Sequence, residues 1–193
     1  MILLVIGLVV FFTLHLIPTS PDLRQGLVGR FGEQGYKLGF SLVSAAALVL
    51  IALGYHKLQV MPGKNPVLWA PPVGLRHATL ALMLPAMILL VAAYIPSRIR
   101  TVTKHPMLAA VKLWALGHLL ANGDMASIVL FGSFLIWAIY DRISVKKRGA
   151  TGPLGAREGT MFGDLLAVGV GTSLYLLMLY YGHTLLIGVP VVP

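Results

Sequence analysis

Cysteine is absent from the 193 residues, and acids are scarce: 6 Asp plus Glu stand against 15 Lys plus Arg. Without a thiol the chain forms no disulfide, thiolate metal site, iron–sulfur cluster or cysteine nucleophile. Charge of both signs is thin. Charged residues make up 11% of the chain, whereas a soluble domain uses about 25% to keep its surface in water. That shortage excludes a soluble enzyme. A hydrophobic content of 58% and a mean hydropathy of +0.86 exclude a disordered chain, which needs low hydrophobicity.

Long apolar runs are what the chain has in abundance. A spanning helix needs about 20 mostly apolar residues. Six segments meet or approach that length: about Met1 to Ile17, Leu38 to Tyr55, Leu75 to Ile95, Pro106 to Leu120, Met125 to Tyr140 and Leu165 to Val189. Helical periodicity is weak in all six, as expected of helices apolar on every side. The expected fold is all-α, a polytopic membrane bundle of about six transmembrane helices forming one domain over residues 1–193. The first run has no positive n-region and no small-residue cleavage site, so it reads as a span and not a signal peptide. Leu23–Tyr36 mixes Arg24, Arg30 and Glu33 with apolar residues. It reads as an amphipathic helix on the inner surface.

Lys and Arg are retained on the cytoplasmic side of a membrane. Arg24, Arg30, Lys37, Arg98, Arg100, Lys104, Arg142, Lys146, Lys147, Arg148 and Arg157 follow the odd-numbered spans, while only Lys57, Lys64 and Arg76 lie opposite them. This bias places both termini outside the cytoplasm, in the inner membrane if the source is bacterial. It also accounts for most of the net charge of +9 without nucleic acid as a partner.

An ionisable group inside a span costs roughly 2.5–3.5 kcal/mol at its centre and is a functional hypothesis by default. His56 and His77 fall at outer span ends, where water reaches them. His183 follows Tyr180 and Tyr181 and reads as part of an aromatic belt. His15 and His118 differ, because each has a long apolar run beside it. Asn122 is one turn after His118 on the same face, placed to hold the imidazole in one tautomer. An interhelical hydrogen bond explains His118 equally well. His105 opens the fourth run ahead of Pro106, and Lys112 shares its face, where it either snorkels or pairs with Asp124, Asp141 or an anionic group. Asn122-Gly-Asp124 breaks the run and reads as a turn.

The same stretches carry a family resemblance. His15-Leu-Ile-Pro18, Gly32-Glu-Gln-Gly-Tyr-Lys-Leu-Gly-Phe-Ser41, Lys104-His-Pro-Met-Leu108, Leu113-Trp-Ala-Leu-Gly-His-Leu-Leu-Ala-Asn-Gly-Asp124 and Gly132-Ser-Phe-Leu-Ile-Trp-Ala-Ile-Tyr-Asp141 resemble the NnrU family over almost the whole chain. This is a family of multi-pass membrane proteins named for a link to nitric oxide and nitrite metabolism in denitrifying bacteria. It is similar to zeta-carotene isomerase, a membrane enzyme carrying haem b. The resemblance implies haem b with His15 and His118 as axial metal ligands, and Asn122 beside them. At about 1.5 Å per residue, His118 stands about 20 Å from the inner end of its span, so His105 matches His15 better in depth and competes for the iron. The implied activity is a haem-dependent cis–trans isomerisation of an apolar polyene. A gas-responsive role with a small gaseous ligand such as nitric oxide is the other haem reading. A cofactor-free assembly factor acting on a membrane protein partner needs neither histidine. A fainter similarity, to membrane methyltransferases, rests on Lys104-His-Pro-Met and Glu158.

Overall fold

The computed structural model describes residues 1–61 and 63–191, and among them the chain is all-α. In lipid every backbone N–H and C=O must find its partner within the chain, which restricts an apolar run to helix. The elements are α1 (Ile2–Leu16), α2 (Pro21–Val60), α3 (Val73–Ala92), α4 (Arg98–Thr103), α5 (Pro106–Ala121), α6 (Met125–Arg148) and α7 (Met161–Leu177). A π-helical turn, Met178–Gly182, carries α7 into α8 (His183–Ile187). Five stretches are long and apolar enough to cross a membrane: Ile2–Thr19, Pro21–Val60, Val73–Ala92, Met125–Arg148 and Met161–Ile187. The fourth expected run, α5, is a shorter apolar helix of 16 residues. Pro106 starts it, and extended backbone at Asn122 ends it.

The second run begins well before Leu38. Its amphipathic lead and its apolar part form one helix from Pro21 to Val60, broken at Gly32 with φ 72° and ψ 161°. That backbone region is essentially closed to residues with a Cβ.

The chain divides into two compact units. One comprises Met1–Leu68 and Asp124–Ser133, and the other Trp69–Gly123 and the chain from Phe134 onward. In the first unit α1 lies against α2. Leu4, Leu8 and Phe11 are buried at helical spacing on α1, opposite Ala47, Ile51 and Leu58 on α2. The contact is backbone-close: a Cβ on Gly54 would stand 2.8 Å from the Leu4 Cα, and one on Gly7 would stand 2.8 Å from the Ile51 N. Small residues at such crossings are how helices pack where lipid supplies no hydrophobic drive.

Asp124 ties this unit together. Its Oδ1 accepts from Asn65 Nδ2 at 2.7 Å, the Ser127 N–H at 2.9 Å and Gln59 Nε2 at 3.2 Å, and its Oδ2 accepts from Ser127 Oγ at 2.7 Å. Because Ser127 gives its proton to the carboxylate, Tyr55 is the donor in the 2.8 Å bond to Ser127 Oγ. Burial pushes the Asp124 carboxyl up, but the hydrogen bonds from Ser127, Asn65 and Gln59 outweigh it and hold it below its ordinary value. The turn residue of the sequence is thus the cap of α6.

In the second unit α3 packs against both α5 and α7. The buried Thr79 hydroxyl donates to the Gly117 carbonyl of α5 at 2.7 Å. A Cβ on Gly171 of α7 would stand 2.6 Å from the Ile88 Cα of α3. Ser97, fully buried, caps α4 by accepting from the Arg100 N–H at 3.2 Å. Thr160 caps α7 through the Gly163 N–H at 2.9 Å, and Asp164 Oδ1 accepts from the Ile99 N–H at 3.0 Å. Arg100, expected as an interfacial charge, is 7% exposed. Its guanidinium donates to the Arg157 carbonyl at 2.8 Å and to the Gly155 carbonyl.

The outward faces remain apolar: Ile136 is 71% and Leu185 83% exposed. A water-facing surface does not carry such residues in long continuous arrays, whereas acyl chains cover them at no cost.

Candidate functional site

Two helical histidines share one local preparation. His15 lies at the end of α1, and its Nδ1 donates to the Phe11 carbonyl one turn earlier at 2.8 Å. His118 lies near the end of α5, and its Nδ1 donates to the Trp114 carbonyl one turn earlier at 2.8 Å. A carbonyl oxygen only accepts, so Nδ1 carries a proton in both rings. A backbone carbonyl on one ring nitrogen is how a metal-ligating histidine is oriented and its tautomer fixed.

The surroundings of the two rings differ. In the first unit His15 stacks directly on Phe11, with centroids 3.9 Å apart and planes 21° apart, and Phe40 stands at 5.0 Å. In the second unit His118 is tilted against Trp114 at 5.4 Å, and Trp114 meets Phe134 edge-on at 5.4 Å. On another side His118 faces His183. Their planes lie 16° apart, with centroids at 6.5 Å. His183 has the same tautomer, since its Nδ1 donates to the Val189 carbonyl at 2.7 Å. Sequence reading placed His183 in an interfacial belt, because nothing in Tyr-Tyr-Gly-His shows which way the helix turns.

The other candidates separate from this pair. Asn122 Nδ2 donates to the His118 backbone carbonyl at 2.9 Å, so Asn122 closes the helix end, and the carbonyl that fixes the ring is that of Trp114. His105 is the residue before the first turn of α5, thirteen positions before His118. That is about 20 Å away along the helix. Burial and the Arg142 charge lower the His105 pKa, only partly offset by Asp141. Lys112 makes no ion pair among the described residues, and Asp141 pairs with Arg148 at 3.5 Å. His56, His77 and Glu158 are exposed.

Among the described residues no three His, Asp or Glu side chains gather as a metal cage. A zinc-type site wants four ligands. Two neutral imidazoles instead suit a haem iron, whose porphyrin fills its other four positions. The donor set therefore fits the cofactor that the sequence resemblance implies.

Long apolar helices with lipid-facing side chains, threaded repeatedly along the chain, define a multi-pass integral membrane protein. The family model described as "NnrU: NnrU protein" matches residues 3–191, and the chain belongs to the NnrU family. No curated protein and no solved structure matches it.

Proposed function

We propose that this NnrU protein binds haem b inside the membrane, with His118 as one axial ligand, and serves the nitric oxide and nitrite metabolism after which its family is named. The observation that carries this reading is the locked ring of His118. It is an imidazole in an apolar helix, with Nδ1 held by the Trp114 carbonyl at 2.8 Å, the arrangement that orients a metal-ligating histidine. Bound there, haem would supply an iron centre for redox or small-ligand chemistry. The chain's own part is to hold the imidazole in one tautomer, to surround it with Trp114 and Phe134, and to keep it from bulk water. Two histidines contend for the second axial position: His15, from the likeness to zeta-carotene isomerase, and His183.

The orientation proposed with it puts both termini outside the cytoplasm, supported by the basic bias of the loops. α6 ends in Lys146, Lys147 and Arg148, where cytoplasmic anchoring charges would stand. A pyridine haemochrome spectrum of the purified protein, expressed with ample haem, tests the cofactor: a haem b signal near one per chain is expected, and its absence removes the reading. Reporter fusions at the C-terminus test the orientation, with a periplasmic reporter expected to be active.

A further inference from the structure

We infer that the foot of α6 binds an anionic phospholipid, with Arg142, Lys146 and Lys147 holding the headgroup phosphate and the apolar face above them carrying an acyl chain. The site needs neither haem nor any of the histidines. α6 holds 24 residues, about 36 Å of helix, against a hydrocarbon core of about 30 Å. The surplus is about one turn, and the last turn carries Lys146, Lys147 and Arg148, which puts these cations at headgroup depth. An open groove of about 570 Å³ is lined there by Arg142, Ile143, Lys146 and Lys147. Its three cations make no ion pair among the described residues. Arg148 differs, being held by Asp141 at 3.5 Å and by Ser144 Oγ at 3.1 Å. Arg142 and Lys146 stand one turn apart, where like charges destabilise a helix. A phosphate shared between them turns that repulsion into charge-assisted hydrogen bonds.

The face above the groove says which anion fits. Ile136, Ile139, Tyr140 and Ile143 are each between 47% and 71% exposed. At about 100° per residue they fall within one sector about 100° wide, and Lys147 continues it. Lys146 and Arg142 flank the sector on one side. From Ile136 to Lys147 the helix rises about 16 Å, and one leaflet contributes about 15 Å of hydrocarbon. One acyl chain therefore covers the stripe while its own phosphate meets the cations at the foot. A free phosphate ion would use the cations and leave the stripe uncovered. A zwitterionic lipid would cover the stripe but bring a cation of its own to the groove. An anionic phospholipid matches both halves, as basic pockets at helix ends do elsewhere.

The test titrates the full chain in detergent with phosphatidylglycerol and with phosphatidylcholine of the same acyl chains, and reads retained lipid by native mass spectrometry. Wild type is expected to retain phosphatidylglycerol in preference. Each cation removed should weaken that retention about fivefold, so Lys146→Gln with Lys147→Gln should weaken it about 25-fold, with phosphatidylcholine unchanged. Both lysines are exposed, and an unaltered melting temperature confirms that the fold is kept. Lys146→Arg with Lys147→Arg should keep the preference. Lys57→Gln with Lys64→Gln, two exposed lysines of the first unit, should keep it as well. Equal retention of the two lipids by wild type overturns the site, as does a preference that survives Lys146→Gln with Lys147→Gln. An equal loss in the Lys57 and Lys64 pair overturns it by reducing the effect to net charge. Inorganic phosphate that displaces phosphatidylglycerol at matching concentration overturns the assignment to a lipid.

Discussion

The first unit offers His15 to phenylalanines, and the second offers His118 to another imidazole. Both histidines end an aromatic-x-x-x-His pattern, and both give Nδ1 to the carbonyl of that aromatic residue at 2.8 Å. What differs is the partner that arrives from elsewhere in the same unit: Phe40 at 5.0 Å in one case and His183 at 6.5 Å in the other. An identical local motif thus fixes Nδ1 of a ring in two places. The long-range neighbour decides what stands beside it.

The largest expected effect falls on His118. Under the haem reading, His118→Ala loses the six-coordinate spectrum and most of the bound haem, as a haemochrome spectrum reads it. The same loss in His15→Ala would make His15 the second axial ligand and erase the distinction between the two rings. Next come the close helix crossings, one in each unit. Gly54→Leu drives a side chain into the Leu4 backbone, and Gly171→Leu drives one into that of Ile88. Overpacking of this kind costs typically 1–3 kcal/mol, occasionally more. A large fall in detergent melting temperature is expected for both, with haem retention falling first in Gly171→Leu.

Asp124 gives a smaller effect, confined to the first unit. Asp124→Ala leaves the donors of Asn65, Ser127 and Gln59 unanswered and is expected to cost about 2 kcal/mol in thermal unfolding. The same carboxylate sets a pH dependence. Its folded pKa is held below the ordinary value, so its contribution is fully present above the unfolded pKa of about 4 and is lost as pH falls through the folded value. Wild type should therefore lose stability on acidification below about pH 4, and Asp124→Asn should flatten that loss. Ser97→Ala removes one N-cap in the second unit, for about 1 kcal/mol. At the bottom of the scale is Glu33, which pairs with Arg24 at 3.0 Å and Lys37 at 3.2 Å. The bond from Lys37 lowers its pKa, yet the cluster lies in solvent, where such pairs contribute little. Glu33→Gln is expected to leave the melting temperature unchanged.

Membrane character was legible from composition, because only lipid tolerates so many apolar residues outward. The breaks at Pro106 and Asn122 were legible from local chemistry. The helical character of Leu23–Tyr36 was legible too, but its fusion with the next run was not: one glycine at φ 72° lets a single helix run through both with a bend. Of the site, His118 stood out by its apolar surroundings. The proton-fixing carbonyl of Trp114 did not, because a backbone oxygen has no letter in a sequence. His183 was hidden by the π turn, since counting by regular helical steps points it toward another face. Asp124 looked like turn chemistry. Its bonds to Asn65 and Gln59, about sixty positions away, have no local signature.

Arg100 holds the segment leading into α7. Its guanidinium is withdrawn from water and grips the carbonyls of Gly155 and Arg157. Lysine carries the same charge, but its single ammonium lacks the planar fork that reaches two carbonyls at once. Arginine at this position is therefore a clasp that a lysine would not close.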